Sequence, residues 1–312
     1  MFKKRMLLLI ILVLCVFFVY DHFSWNSIRQ HTVSFIDQLK AAGKSEAAVK
    51  LADLEAGAVL IMNRETGEII YSDHEKKRMY PASTTKILTA LILLEKENPE
   101  DKITIGNEVT IGTLDESSAG LQPGDELTVR DLAAAMMLPS GNDAARAAAV
   151  YVARKDTGEQ LEPEEAMSYF AELMNKRAKS IGAKKSHFVN PHGLHDPDHY
   201  TTAYDMALIT KEAMKNEQFQ AIVGERTHES EDLGQGGYIY ENRNKLLNDN
   251  GEWYFQGANG VKTGYTEKAG YCLIGSAVRG NKELITVVLH SSEQGVYSDT
   301  LRLLNYGFKI DA

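Results

Sequence analysis

Two strand–turn–strand patterns stand far apart in this chain, and most of what lies between them reads as helix or loop. Ala58-Val59-Leu60-Ile61-Met62 and Glu68-Ile69-Ile70-Tyr71 flank Asn63-Arg64-Glu65-Thr66-Gly67, turn formers between apolar runs, which predicts a hairpin. Gly270 to Val278 and Leu284 to Leu289 flank Arg279-Gly280-Asn281-Lys282, which predicts a second. Helical stretches occupy Asp131 to Leu138, Ala144 to Ala153, Glu164 to Ile181 and Ser298 to Tyr306, and Thr202 with Asp205 marks a further helix start. Strands at both ends with helices between them predict an α+β fold, an antiparallel sheet assembled from the chain ends and covered by a central helical region.

At 312 residues and 44% hydrophobic content the chain can build one large core. A formal net charge of −9 excludes the basic face that phosphate binding wants, so no nucleic-acid partner is expected. Cys15 lies in an apolar leader and Cys272 in a predicted buried strand, so no disulfide framework is implied. Lys3, Lys4 and Arg5 precede the uncharged stretch Met6 to Tyr20, the pattern of a secretory segment, and positive-inside logic puts the globular part outside the cytoplasm. That stretch is short of the ~20 residues of a comfortable membrane span, yet the bulky Val19-Tyr20-Asp21-His22-Phe23 offers no small-residue cleavage site. Residues 1–23 are therefore expected to be a signal anchor in preference to a cleaved signal peptide, residues 24–50 a stalk or leading helix, and residues 51–312 the catalytic domain, membrane-anchored or secreted.

The chemistry is concentrated in three short motifs in one order: Ser83-Thr84-Thr85-Lys86, Ser140-Gly141-Asn142 and Lys262-Thr263-Gly264. A serine hydroxyl is a weak nucleophile at neutral pH and needs a base within hydrogen-bond reach, together with donors aimed at the developing oxyanion. Thr84 to Leu94 is apolar on nearly every face and predicts a buried helix with Ser83 at its N-terminus, where free N–H groups and the helix dipole favour negative charge. Lys86 lies one turn along the same face. A lysine acts as base only when neutral, which burial and repulsion from a second cation promote, and Lys262 is the obvious second cation. Taken singly the motifs are bland: Ser caps helices, Ser-Gly-Asn makes turns, and Lys-Thr-Gly ends strands. Their coincidence in order is what points to catalysis.

These motifs, with the blocks around them, resemble the serine D-alanyl-D-alanine carboxypeptidases, the low-molecular-weight penicillin-binding proteins. The resemblance runs through Tyr80 to Lys86, Leu138 to Ala145, Asn190-Pro191-His192-Gly193-Leu194 and Gly260 to Thr266, and covers roughly residues 50–312. It implies the β-lactamase/transpeptidase-like fold, an acyl-enzyme on Ser83 with Lys86 as general base, and removal of the terminal D-alanine from peptidoglycan stem peptides, with β-lactams as covalent inhibitors. Ser140 and Asn142 would relay the proton to the leaving D-alanine and hold the peptide. Lys262 and Thr263 of the Lys262-Thr263-Gly264 triplet would bind the terminal carboxylate, and the N–H groups of Ser83 and Tyr265 would form the oxyanion hole. Relatives often carry a C-terminal β-rich domain and a membrane-binding tail. Both are expected to be missing here, the N-terminal anchor replacing the tail.

Alternatives within the same chemistry are a serine β-lactamase, a D,D-endopeptidase acting on cross-links, and a penicillin or muropeptide sensor that stays acylated. A class A β-lactamase also needs a Glu to activate the deacylating water, and Glu172-Leu173-Met174-Asn175 has the wrong spacing for it. His192, His195 and His199 match neither a helical His pair nor the usual zinc sets, and Pro191 and Pro197 make them a loop bordering the cleft, so no metal or cofactor is expected. Trp253 and Tyr254 read as core. One departure from the family stands out. Where relatives have a Gly-Arg step that grips the carboxylate, this chain has Gly295-Val296.

Overall fold

The computed structural model describes residues 51, 53–113, 115–230 and 236–310. The chain divides into two units, Met1–Asp53 and Leu54–Ala312, and the architecture below is that of the second. The expected signal anchor and stalk lie outside the described residues. Among the described residues no helix is long and apolar enough to cross a membrane.

Strands β1 (Ala58–Asn63) and β2 (Ile69–Asp73) form the first expected hairpin. Its turn is organised by Asn63, whose side-chain oxygen accepts from the N–H groups of Glu65 and Thr66 at 2.9 and 3.0 Å. Strands β3 (Lys102–Thr104) and β4 (Glu126–Thr128) make one small ribbon, and β5 (Thr227–Glu229) and β6 (Ile239–Glu241) another. Strands β7 (Ala258–Thr266), β8 (Gly270–Arg279) and β9 (Lys282–Ser291) complete the main sheet, whose order is β2-β1-β9-β8-β7 with every pair antiparallel. The first strand therefore docks on the last, and β7 is left at an edge.

The helices are α1 (Lys86–Lys96), α2 (Val129–Met137), α3 (Asn142–Thr157), α4 (Pro163–Ile181), α5 (Ala203–Ala213), α6 (Glu217–Gly224) and α7 (Gly295–Lys309). All six residues of β1 are buried, so the sheet is covered on both faces. Alternate side chains divide between the two layers, as strand geometry requires. Ala58, Leu60 and Met62 join the main helical core, whereas Ile61 packs toward Gly307 of α7. Helix α1 packs on α2, α3 and α5, and is buried from Lys86 to Leu94. At about 1.5–3 kcal/mol for each fully buried large aliphatic side chain, this helix is a principal anchor of the core.

Local signals behave as their chemistry dictates. Thr128 caps α2 in a full capping box with Asp131. Thr202 accepts from the Asp205 N–H at 3.0 Å, but the return bond is not made, because the Asp205 carboxylate is taken by Lys185 N and Ser186 Oγ. The last helix begins at Gly295, three residues before the expected start, which brings Val296 into its first turn. Trp253 and Tyr254 do not enter the core. Tyr254 is exposed, Trp253 stacks on Tyr297, and the buried aromatic of that segment is Phe255.

Candidate active site

Ser83 sits in a single 3-10 turn, Ala82–Thr85, that runs straight into α1. The sequence predicts a plain helix N-terminus here. The tighter turn matters because side chains three residues apart nearly eclipse in 3-10 geometry. Thr84 and Thr85 stabilise it by donating from their hydroxyls to the carbonyls of Pro81 and Ala82, at 2.6 and 2.8 Å. Lys86 Nζ then lies 2.9 Å from Ser83 Oγ.

Lys86 has two other partners, Asn142 Oδ1 at 2.6 Å and the His192 carbonyl at 2.8 Å. The side chain is wholly buried. Burial holds the amine well below the ordinary lysine range, the nearby Lys262 cation pushes it the same way, and Glu116 opposes. Lys262 is buried too, and its amine is pushed down to about 7, first by burial and then by Arg243.

The second motif turns sharply into α3. Ser140 adopts a left-handed backbone, φ 70°, after Leu138-Pro139, and Asn142 is the first residue of the helix. Asp143 secures the facing loop, its carboxylate accepting from Ser118 Oγ and from the backbone N–H groups of Ala119, Gly120 and Leu121. The third motif lies on edge strand β7. A Cβ on Gly264 would stand 2.9 Å from Ser83 N and 3.1 Å from Thr84 N, so only glycine allows the strand to pass this close to the Ser83 turn.

The histidine loop borders the same place. His199 Nδ1 accepts from Val189 N at 3.1 Å, which leaves its Nε2–H to donate to Thr85 Oγ1 at 2.8 Å and brace the Ser83 turn. Burial pushes this imidazole down to about 4, so it stays neutral. Asn175 of α4, the end of the Glu172 to Asn175 run, pairs with both backbone groups of Phe188 and so anchors the loop's start.

Ser83, Ser140, Asn142, Thr263, Gly264 and Tyr265 all line one open cavity of about 460 Å³. The structure thus brings together every residue singled out in the three motifs, with Lys86 and Lys262 buried behind the wall. It also adds groups that the motifs do not contain. Arg243 and Lys245 bring cations to the cavity, Glu116 a carboxylate, and Val296 and Tyr297 an uncharged wall. Arg243 Nη1 donates to Ser117 Oγ at 2.7 Å. Glu116 is gripped by Arg146, a residue whose signal was available: a lone cation four residues beyond Asn142, in a helix stretch otherwise rich in alanine.

Known proteins resemble this chain in sequence and fold. A family model described as D-alanyl-D-alanine carboxypeptidase matches residues 44–293. The chain is 37% identical over 246 residues to the D-alanyl-D-alanine carboxypeptidase DacF of Bacillus subtilis, covering 76% of this chain and 58% of that protein. It is 33% identical to DacD of Escherichia coli, covering 82% and 63%. It spans about six-tenths of the length of these curated relatives. Against the crystal structure of the Streptomyces K15 DD-transpeptidase the fold superimposes with a TM-score of 0.74 at 31% identity, over 83% of this chain and 98% of that one. Motifs, fold and site geometry agree: the chain belongs to the D-alanyl-D-alanine carboxypeptidase family, peptidase S11.

Proposed function

We propose that residues 51–312 form a serine D,D-carboxypeptidase domain that removes the terminal D-alanine from peptidoglycan stem peptides through an acyl-enzyme on Ser83. The observation that carries this is the hydrogen bonding of Lys86. A neutral amine has two N–H donors and one lone pair. Asn142 Oδ1 and the His192 carbonyl can only accept, so they take the two N–H groups. The lone pair is left for the Ser83 hydroxyl, at 2.9 Å. Lys86 thereby removes the Ser83 proton as Oγ attacks the D-Ala-D-Ala carbonyl. The proton taken up by Lys86 passes by way of the Ser140 hydroxyl to the leaving amine while Asn142 helps hold the peptide, and water then releases the acyl group. The edge of β7 supports an extended peptide alongside Ser83, with the N–H groups of Ser83 and Tyr265 receiving the oxyanion, and Lys262, Thr263 and Gly264 forming the carboxylate side of the site.

A β-lactamase reading is less well supported. Glu116 does reach the cavity, but Arg146 engages both its oxygens, which suits it poorly to activating water. Residues 1–23 would tether the domain outside the cytoplasm as an anchor or direct it there as a signal, with residues 24–50 as the stalk. The experiment is to incubate the protein with a D-Ala-D-Ala peptide and, separately, with a fluorescent penicillin. Prompt D-alanine release with slow loss of label supports the carboxypeptidase. Rapid label loss supports a β-lactamase, and labelling without D-alanine release supports a sensor.

Two expectations follow for this chain. Lys86 works neutral and Lys262 works charged, and the groups around the pair are Glu116, Arg146, Asp143, His192, His199 and Arg243. The rate should rise with pH as Lys86 loses its proton, well below the ordinary lysine range. It should fall again as Lys262 loses its charge near 7. The profile of kcat/KM for the peptide is therefore a bell belonging to the coupled pair, and in kcat the alkaline limb should move up, because bound carboxylate favours charged Lys262. A flat kcat/KM profile from acid to alkaline pH would count against lysine as base.

The second expectation concerns Val296, which is buried in the first turn of α7 and lines the cavity, at the step where the family resemblance implies an Arg. An Arg pairs with a carboxylate in a two-pronged way that a lone Lys does not reproduce. Small D-Ala-D-Ala peptides should therefore bind weakly, and Val296→Arg should lower their KM by about tenfold or more, the scale of one added charge-assisted bond. An unchanged KM would count against this position as the carboxylate grip, or mean that another cation at the cavity, Arg243 or Lys245, already does this work.

A further inference from the structure

Behind Asn142 lies a buried ion pair that belongs to none of the three motifs. Arg146 Nη1 donates to Glu116 Oε1 at 2.6 Å and Nη2 to Oε2 at 2.7 Å. The two side chains are only 5% and 6% exposed. Glu116 Oε2 also accepts from Asn142 Nδ2 at 3.3 Å. The backbone keeps room for the pair, since a Cβ on Gly112 would fall 1.9 Å from Glu116 Oε1 and 2.9 Å from Arg146 Nη1. Burying two charges costs desolvation, and apolar residues often replace such pairs without loss of stability. Stability alone is therefore a poor explanation for this pair.

The asymmetry of an amide is a better one. Asn142 has one accepting end and one donating end. With Oδ1 toward Lys86 it takes an N–H and leaves the amine's lone pair to Ser83. Turned over, its Nδ2 would donate into that lone pair and take it from the nucleophile. A carboxylate only accepts, so Glu116 admits Nδ2 and nothing else. We propose that Glu116, held in place by Arg146, is a positioning residue that sets the Asn142 amide so that the Lys86 lone pair is reserved for the Ser83 hydroxyl. The proposal rests on the assignment of Ser83 and Lys86 as nucleophile and base.

The test is the rate of acylation by a fluorescent penicillin, measured over a range of concentrations with the full chain, in variants shown to melt cooperatively. In Glu116→Gln, the amide oxygen faces Arg146 and the new N–H groups face Asn142, which favours the turned-over amide. Glu116→Gln combined with Arg146→Met removes both buried charges and their desolvation cost. Gly112→Ala leaves every polar group present but pushes Glu116 out of place. Each is expected to lower the limiting acylation rate about tenfold or more, the scale of a slightly misplaced reacting group, while the half-saturating penicillin concentration changes less than about twofold. That split is one a merely structural pair would not produce. A wild-type limiting rate in any cooperatively melting variant of the three overturns the proposal. Absence of acylation in the wild-type protein would instead overturn the assignment of Ser83, a separate outcome.

Discussion

Ser83→Ala is expected to abolish penicillin labelling and to cut D-alanine release by roughly a factor of a million, the scale on which a serine hydrolase loses turnover with its nucleophile. The fold should survive. Lys86 keeps its bonds to Asn142 and the His192 carbonyl, and Ser83 is only half-buried at the cavity wall. Labelling by fluorescent penicillin on a gel, beside a melting curve, separates loss of chemistry from loss of structure. A well-folded alanine variant that still takes the label would sink the assignment, because no other residue of the three motifs is placed to carry the acyl group with Lys86 as its base.

Lys86→Met should be the next most severe, at about a hundred- to ten-thousandfold, the usual contribution of a general base. Methionine is close in length and removes the cost of burying an amine, but it leaves Asn142 Oδ1 and the His192 carbonyl without their donor, at about 1–3 kcal/mol for each unsatisfied group. A lowered melting temperature is therefore expected together with the lost rate. The informative measurement is the pH profile of acylation. With the base gone, the acid limb assigned to Lys86 should vanish and higher pH should not restore the rate. Acylation within tenfold of wild type at neutral pH would mean that another group takes the proton.

The elements that local chemistry dictates were legible in the sequence. The turn formers around Asn63 and Gly280 marked both hairpins, and the all-apolar run after Ser83 marked a helix that is buried from Lys86 to Leu94. The relation between Ser83 and Lys86 was legible because it is local, although the 3-10 turn that tightens it was not. Groups that meet only in three dimensions were hidden. Glu116 sits in a loop, and nothing in its neighbourhood announces a partner thirty residues later. Arg243 reaches the cavity from a turn before β7, and its part in depressing Lys262 depends on a proximity that sequence spacing cannot express. Trp253 and Tyr254 misled for a related reason. Aromatic character predicts burial on average, but here the first aromatic stacks on a residue of the cavity wall and the second faces solvent.

The pairing of β1 with β9 also bears on how the protein is made. Val59, Leu60 and Ile61 are buried on both faces of the sheet, and one of the two strands that flank them, β9, lies far along the sequence, at Lys282–Ser291. A growing polypeptide emits this apolar strand early and its partner late, and non-local pairing of this kind is slow and leaves sticky surface waiting. Strand β1 thus stays without its β9 partner until Lys282 to Ser291 have been made, and a chain cut short before Lys282 would expose both β1 and β8 as open edges. The strand order of the sheet therefore sets how long an apolar strand edge stays open before the fold can close over it.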